Sequence, residues 1–249
     1  YNYLIINMKF LRYISFFLLI GYALSSTAQE VGLVLSGGGA KGLTHIGVIR
    51  ALEENGIPID YITGTSMGAI VGALYAMGYS PDDMEELLGS EDFKHWYTGE
   101  VEKEHLYYFK RNNPTPEFIN IKFSTRDSLK LRPQILPTSV IDPIQMNLAF
   151  MQIFSQAETA SKSDFDNLFV PFRCIASDVY NKKQVVFKQG SLGDAVRASM
   201  SFPFVFKPLA MDSVLIYDGG IYNNFPTDVM MDDFNPDIMI GVVVASGPK

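Results

Sequence analysis

Short apolar runs and amphipathic segments alternate along the first half of the chain, and this pattern predicts strands and helices in turn. Val31–Ser36 and Ile59–Thr63 are apolar runs typical of strands. Leu43–Gly56 carries apolar residues near helical spacing, with a glycine suited to a helix C-terminus, and a second helical pattern follows over 66–78. The order strand, loop, helix, repeated once, predicts a parallel sheet covered by helices.

The pattern beyond residue 79 is less regular. Ser80 is placed to cap a third helix, with Pro81 at its first position and acidic residues in its first turn. Residues 91–135 mix aromatic, charged and proline residues, and we predict an irregular excursion there with a hairpin over 118–133. The remaining predicted elements are helices over 143–154 and 191–206, the second ended by Pro203, and strands over 169–179, 183–190, 214–218 and 238–245. The Met- and Phe-rich helix over 143–154 suits either a core helix or a flexible wall for an apolar ligand.

Composition narrows the function classes. The chain has 249 residues, 47% of them hydrophobic, which is enough for one sizeable α/β domain with a full core or for two very small domains. The net charge is −7 and no basic stripe is present, so nucleic acid is not expected as a partner. The single cysteine, Cys174, lies in an apolar run and is interpreted as a buried hydrophobic residue, so neither a disulfide framework nor a cysteine-based zinc site is expected.

Residues 1–28 are typical of a short upstream extension followed by a secretory signal peptide. Lys9 and Arg12 precede an uncharged, mostly apolar run from Tyr13 to Leu24, and Ser26 and Ala28 suit a cleavage site before Gln29. The alternative is an uncleaved membrane anchor, although the apolar run is short for a span. We therefore expect an exported protein, whether periplasmic, outer-membrane-associated or secreted. We also expect that residues 29–249 form one domain and that this domain is incomplete at its C-terminus.

A serine between two glycines stands at the junction of the second predicted strand and its helix. The segment Gly64-Thr65-Ser66-Met67-Gly68 fits the pattern G-x-S-x-G. A sharp strand-to-helix turn exposes such a serine, and the helix N-terminus aims N–H groups towards it. Glycine is favoured on both flanks because the backbone is crowded at such a turn. Ser66 is therefore the candidate nucleophile.

The partner that would activate Ser66 is not an obvious histidine. All three histidines precede residue 106, so the order Ser, Asp, His of α/β-hydrolases fails unless unseen sequence supplies a histidine. Asp218 follows an apolar run and precedes Gly219 and Gly220, which suggests a carboxylate at a strand end, where open α/β sheets place their sites. Burial in an apolar pocket could raise its basicity. The alternative interpretation is a turn aspartate.

The glycine run after the first strand allows two interpretations. Gly37, Gly39 and Gly42 fit the dinucleotide-binding pattern G-x-G-x-x-G, for which Asp60 is the nearest candidate ribose-binding acid. Asp60, however, begins the second predicted strand rather than ending it. The other interpretation is an oxyanion hole built from glycine N–H groups. The nucleophile predicted at Ser66 favours the second interpretation.

Three motifs in order, "GGGAKG" at 37–42, "GTSMG" at 64–68 and "DGG" at 218–220, resemble the patatin-like phospholipase family, and "AVRASMSFPFVF" at 195–206 is similar to a further block of that family. The resemblance covers about residues 31–245. It implies a three-layer α/β/α fold with a mostly parallel central sheet and a Ser–Asp dyad. Ser66 corresponds to the nucleophile and Asp218 to the base. Gly37, Gly38 and Gly39 correspond to the oxyanion donors, and "DGG" replaces the more common "DGA".

This resemblance implies a lipid acyl hydrolase that needs no cofactor or metal and acts on lipid or phospholipid at a membrane surface. Exported bacterial members often carry a C-terminal assembly domain and an outer-membrane barrel, and the same is expected of a longer form of this chain. Two alternatives stay open at this point: a non-catalytic passenger or binding module of an envelope protein, and a dinucleotide-dependent oxidoreductase.

Overall fold

A computed structural model describes residues 29–100, 139–211 and 214–244. The predicted signal peptide and hairpin therefore lie outside the described residues and stay predictions. In chain order the described elements are β1 (Val31–Leu35), α1 (Thr44–Glu54), β2 (Tyr61–Thr65), α2 (Met67–Ala76), α3 (Pro81–Leu88), α4 (Glu91–Thr98), β3 (Ser139–Ile141), α5 (Ile144–Ala160), β4 (Phe172–Asp178), β5 (Lys183–Phe187), α6 (Leu192–Ser199), β6 (Phe204–Phe206), β7 (Leu209–Met211), β8 (Val214–Asp218), α7 (Thr227–Asp233) and β9 (Ile238–Val242).

Seven of these strands form one mixed sheet whose centre is parallel. The order is β7-β8-β4-β2-β1-β9, and β5 pairs with β4 as well. The pairs β9–β1, β1–β2 and β2–β4 are parallel, whereas β8 and β5 run antiparallel to β4. Two strand–helix units in succession produce the parallel centre, as the alternating pattern of the sequence predicts.

Helices cover both faces of this sheet. Side chains alternate between the two faces of a strand, so Gly32 and Leu35 of β1 face opposite sides. A Cβ on Gly32 would touch Met230 of α7, whereas Leu35 packs near Gly72 of α2. All ten residues of α2 are buried, which its predominantly apolar and small sequence permits. The predicted three-layer α/β/α fold with a mostly parallel sheet is confirmed.

Local sequence signals explain the helix starts. Ser80 caps α3 as predicted, and the structure adds a reciprocal cap with Asp83, since each side chain accepts from the other residue's N–H. The irregular excursion predicted from residue 91 is wrong for its first part, because Glu91–Thr98 is helix α4. Ser90 caps its first turn and Gly99 ends it with φ +72°. These two signals outweigh the mixed composition of the segment.

Three further elements differ from the predictions. Helix α6 ends at Ser199, before Pro203, because the chain turns there into the short strand β6. The predicted buried strand over 238–245 is β9, which is half exposed and pairs with β1 at an edge of the described sheet. Helix α5 runs on to Ala160, and Met146, Phe150 and Phe154 on it are buried, which favours the core interpretation of this helix.

No described helix combines the length and the apolar character that crossing a bilayer requires.

Candidate active site

The turn between β2 and α2 holds Ser66 in a strained backbone conformation. Ser66 has φ 55° and ψ −122°, a region that non-glycine residues rarely occupy and that costs roughly 1–3 kcal/mol. Gly64 and Gly68 allow this turn, because a Cβ on Gly64 would collide with the Gly68 backbone, and one on Gly68 with the end of β1. The two flanking glycines therefore let strand, turn and helix pack without a gap.

The register of the sheet brings Asp218 to Ser66. Strand β4 is longer than β2, and β2 pairs with it only as far as Ile175, opposite Thr65. The same edge of β4 continues with β8, whose last residue, Asp218, lies opposite Ala176. Since β2 runs parallel and β8 antiparallel to β4, their C-terminal ends meet end to end along one edge. Strand β5 pairs with Cys174–Asp178 of β4, which overlaps both partners, and therefore occupies the other edge.

Ser66 and Asp218 are in direct hydrogen-bond contact, although 152 positions separate them. The Ser66 hydroxyl donates to Asp218 Oδ2 at 2.8 Å, and the Gly220 N–H donates to Oδ1 at 2.7 Å. Burial raises the pKa of Asp218 above its usual value, and the two hydrogen bonds oppose that shift only in part. A carboxylate with a raised pKa accepts a proton more readily than an exposed one. The pair can therefore act as nucleophile and general base.

The glycine run forms one wall beside Ser66. Gly37, Gly38 and Gly39 line the cavity, and Gly39 has a positive φ of 57°. The Gly37 N–H already donates to the main-chain carbonyl of Asn224 at 3.1 Å, so it is not available to an oxyanion as predicted. Within the described part of the chain, the N–H groups of Gly38 and Gly39 make no hydrogen bond and remain candidate donors. Gly42 does not line the cavity but packs against Met67.

A cavity of about 880 Å³ opens above the Ser66–Asp218 pair. Lys41 and Asp218 are the charged side chains among its described lining residues, and most of the remaining wall is apolar. The apolar lining side chains are those of Met200, Phe202, Pro203, Phe206, Ile221 and Val244. No described lining residue comes from α5, so the proposed role of that helix as a ligand wall does not apply to this cavity. The cavity has the size and character to hold an apolar chain next to a polar reacting group.

Ser199 supports the strained turn from beneath. Its hydroxyl accepts the Ser66 N–H at 2.8 Å and donates to the Ile175 carbonyl at 2.5 Å. Ser199 is fully buried at the end of α6. A single hydroxyl thus satisfies a donor of the turn and an acceptor of β4, and ties the Ser66 backbone to the sheet.

Replacement of Ser199 by alanine is expected to lower the free energy of unfolding by about 1–3 kcal/mol, because the Ser66 N–H loses its partner in a buried place. Urea denaturation followed by fluorescence would measure this loss. Ser177→Ala is the matched control, since Ser177 is also fully buried but its hydroxyl makes one long hydrogen bond of 3.4 Å. An equal loss in the two variants would contradict the supporting role of Ser199.

The other candidate residues lie away from the cavity or have structural partners. His45, on α1, is buried, and its Nε2 contacts the Ser36 carbonyl at 2.8 Å. His95 lies on α4, and His105 lies outside the described residues. Asp60 accepts the Val31 N–H at 2.7 Å at the N-terminal edge of the sheet, opposite to the glycine run. It cannot bind a ribose held at that run, which argues against the dinucleotide interpretation.

The glycines after Asp218 and the apolar cysteine also have clear places. A Cβ on Gly219 would collide with the Ile175 carbonyl, so this glycine allows β8 to end close to β4. Gly220 provides the N–H that holds Asp218. Cys174 is buried in β4 as predicted.

Two residues of the site escaped the sequence analysis. Ser199 was seen only as part of the block at 195–206, and Asn224 follows "DGG" by four positions in a turn rich in asparagine. Asn224 lines the cavity with Ser66 and Asp218. For Asn224 the available signal was a polar residue close after an identified motif. The spacing alone does not show which group such a residue contacts.

Comparison with known proteins agrees with these observations. Residues 33–231 match the family model described as patatin-like phospholipase. A patatin-like phospholipase domain-containing protein of Caenorhabditis elegans is 30% identical over 206 residues, covering 82% of this chain and 13% of that protein. Lysophospholipase NTE1 of Pyricularia oryzae is 30% identical over 218 residues, covering 88% of this chain and 12% of that protein.

A solved structure shows the same fold. VipD from Legionella pneumophila aligns with a TM-score of 0.53 at 16% identity, over 87% of this chain and 50% of that one. The chain spans only about an eighth of the length of the curated relatives that it matches, at 12–13%. Because the family model covers most of the chain and includes Ser66 and Asp218, the chain belongs to the patatin-like phospholipase family.

Proposed function

We propose that this domain is a serine acyl hydrolase that cleaves lipid acyl esters with Ser66 as nucleophile and Asp218 as general base. The observation that carries the proposal is the 2.8 Å hydrogen bond from the Ser66 hydroxyl to the buried Asp218 carboxylate, at a strained turn that faces the cavity. Family membership supports lipid as the substrate class. A non-catalytic binding module would not need a serine held in a costly backbone conformation against a buried carboxylate.

The first half of the reaction forms an acyl-enzyme. Ser66 Oγ attacks the ester carbonyl carbon while Asp218 Oδ2 takes the hydroxyl proton. The negative charge that develops on the carbonyl oxygen is stabilised by the Gly38 and Gly39 N–H groups. Collapse of the tetrahedral intermediate breaks the bond to the leaving oxygen, which receives the proton from Asp218 and departs as an alcohol or a lysolipid.

The second half of the reaction returns the enzyme to its starting state. Asp218 takes a proton from a water molecule as the water oxygen attacks the acyl carbon. The tetrahedral intermediate collapses, Ser66 Oγ recovers the proton, and a fatty acid leaves. Each half uses the carboxylate first as a base and then as an acid, so one titratable group serves both.

We propose that the substrate is presented at a lipid surface. Phe202 and Ile221 line the cavity and are also 59% and 41% exposed, and Phe204 near them is 75% exposed. Large apolar side chains at the mouth of an apolar cavity favour contact with an apolar surface. The proposed export through the N-terminal segment would bring the domain to an envelope membrane.

A labelling experiment tests the proposed chemistry. The purified chain is treated with an alkyl organophosphonate and digested for mass spectrometry, and hydrolysis of a chromogenic ester is followed in parallel. We expect one label, on Ser66, with loss of ester hydrolysis in proportion to labelling. A label on another residue, or full hydrolysis by the labelled protein, would contradict the proposal.

A second experiment tests contact with a lipid surface. The rate of hydrolysis of a lysophosphatidylcholine should rise at the concentration where the lipid begins to form micelles. A rate that shows no change at this concentration would argue against surface contact.

A further inference from the structure

Asn224, in the turn that follows Asp218, is hydrogen-bonded to the glycine run. Both polar groups of Gly37 are bound to it. The Gly37 N–H donates to the Asn224 main-chain carbonyl at 3.1 Å, and Asn224 Nδ2 donates to the Gly37 carbonyl at 3.3 Å. The two residues are 187 positions apart, so this contact joins the first motif to the turn that follows Asp218.

These contacts fix the orientation of two successive peptide groups. In a trans peptide the carbonyl and the following N–H point in opposite directions. The Ser36 carbonyl contacts His45 Nε2, and the N–H at the other end of that peptide, on Gly37, points to Asn224. The next carbonyl, on Gly37, points to Asn224 Nδ2, so the N–H of Gly38 must point away from Asn224.

The glycine run needs such an external constraint. Three consecutive glycines have no side chains to restrict their backbone, so hydrogen bonds must hold the peptide between Gly37 and Gly38. Its carbonyl accepts from the Ser36 hydroxyl at 3.1 Å, which is local, and from Asn224 Nδ2, which is the contact with a distant segment. The space around this peptide is narrow. A Cβ on Gly37 would lie 3.1 Å from Ser66 Cβ and would collide with Asn224 Oδ1, and a Cβ on Gly220 would lie 2.8 Å from the same oxygen. The Asn224 carboxamide therefore sits between the glycine run and the Asp218 turn, next to the nucleophile.

We propose that the Asn224 carboxamide is a positioning group that fixes the peptide between Gly37 and Gly38 and so presents the Gly38 N–H to the developing oxyanion. This role rests on the acyl hydrolase function proposed above. Preorganised donors stabilise a transition state because no energy is spent on orienting them during the reaction. Asn224 acts through Gly38, and its loss should reduce transition-state stabilisation more than ground-state binding.

Asn224→Asp and Asn224→Ala test this role. Aspartate keeps the shape of the side chain but cannot donate to the Gly37 carbonyl and repels it, whereas alanine removes the group. For both variants we expect kcat on a soluble ester to fall by about 10- to 1,000-fold, as for the loss of one oxyanion donor, with KM nearly unchanged. Asn223→Ala is the matched control, because its side chain binds Gln184 and Asp228 and not the glycine run.

Inhibitor binding separates positioning from a general structural role. An alkyl trifluoromethyl ketone adds Ser66 Oγ to its carbonyl carbon and places an oxyanion in the site, whereas an ether analogue of the ester forms no oxyanion. In Asn224→Ala, which adds no charge to the cavity, we expect affinity for the ketone to fall by about the same factor as kcat/KM, with affinity for the ether unchanged. Equal losses for both ligands, or no loss for either, would overturn the positioning role. A wild-type chain that neither hydrolyses esters nor binds the ketone would instead overturn the proposed function, and this role with it.

Discussion

Ser66→Ala is expected to lower kcat for ester hydrolysis by about 10⁴- to 10⁶-fold, because the variant lacks the hydroxyl proposed to form the acyl-enzyme and the remaining site only binds and polarises the substrate. The variant should still bind an ether analogue of the ester, since the cavity walls and the glycine run do not change. Rates measured with a chromogenic ester, together with binding of the ether analogue, would check both statements. Wild-type turnover by Ser66→Ala would overturn the assignment of the nucleophile.

A second variant at the same position tests whether the turn stores strain. Ser66→Gly also removes the hydroxyl, but glycine adopts φ 55° and ψ −122° without a steric penalty. We expect Ser66→Gly to be more stable than Ser66→Ala by about 1 kcal/mol, after allowance for the greater freedom of glycine in the unfolded chain. Urea denaturation of the two variants side by side measures the difference. A less stable glycine variant would show that the Ser66 backbone carries no strain.

Asp218→Asn is expected to lower kcat by about 10²- to 10⁴-fold, since an amide cannot accept the Ser66 proton. Asparagine has the shape of aspartate, and its side-chain oxygen can still accept the Gly220 N–H, so the fold should be retained. Full activity in Asp218→Asn would contradict the Ser–Asp assignment.

The activity of the wild type should depend on the protonation of Asp218. We expect the rate to fall as the pH decreases through the raised pKa of Asp218, at a higher pH than an exposed aspartate would give. A pH–rate profile measures this dependence.

The same carboxylate has a consequence for stability. Burial raises the pKa of Asp218 in the folded state above that in the unfolded chain, so the folded state binds the proton more tightly. Above the folded pKa the buried charge therefore costs stability, and this cost disappears as the pH falls towards the unfolded pKa. We expect Asp218→Asn to be more stable than the wild type at neutral pH, with the difference shrinking in acid. Denaturant titrations of both proteins at neutral and at acidic pH would measure this difference. A wild type that is more stable than Asp218→Asn at neutral pH would contradict the expectation.

Local patterns in the sequence were sufficient for much of the fold and for naming the two groups that we propose to react. The parallel centre follows from two strand–helix units, and Ser66 and Asp218 were identified from the residues around them. The same patterns gave wrong predictions where a helix cap, the pairing of strands or a contact with a distant segment decides the local structure. The cap at Ser90 starts α4 in a segment of mixed composition, and β9 is half exposed because its one described neighbour is β1. The Gly37 N–H, predicted to face the substrate, is taken by Asn224.

The sequence by itself determined which groups are candidates for the reaction: a serine at a strand-to-helix turn, a carboxylate at a strand end and a run of glycines. These are local features, because turns and strand ends depend on residues close together in the chain. Only the tertiary structure decided that the groups meet. Strand β4 accepts β2 as far as Ile175 and β8 from Ala176 on the same edge, and this register places Asp218 at Ser66. The same packing selects Ser199 and Asn224 as supports, since contacts between distant segments depend on how the strands pair and leave no regular spacing in the sequence.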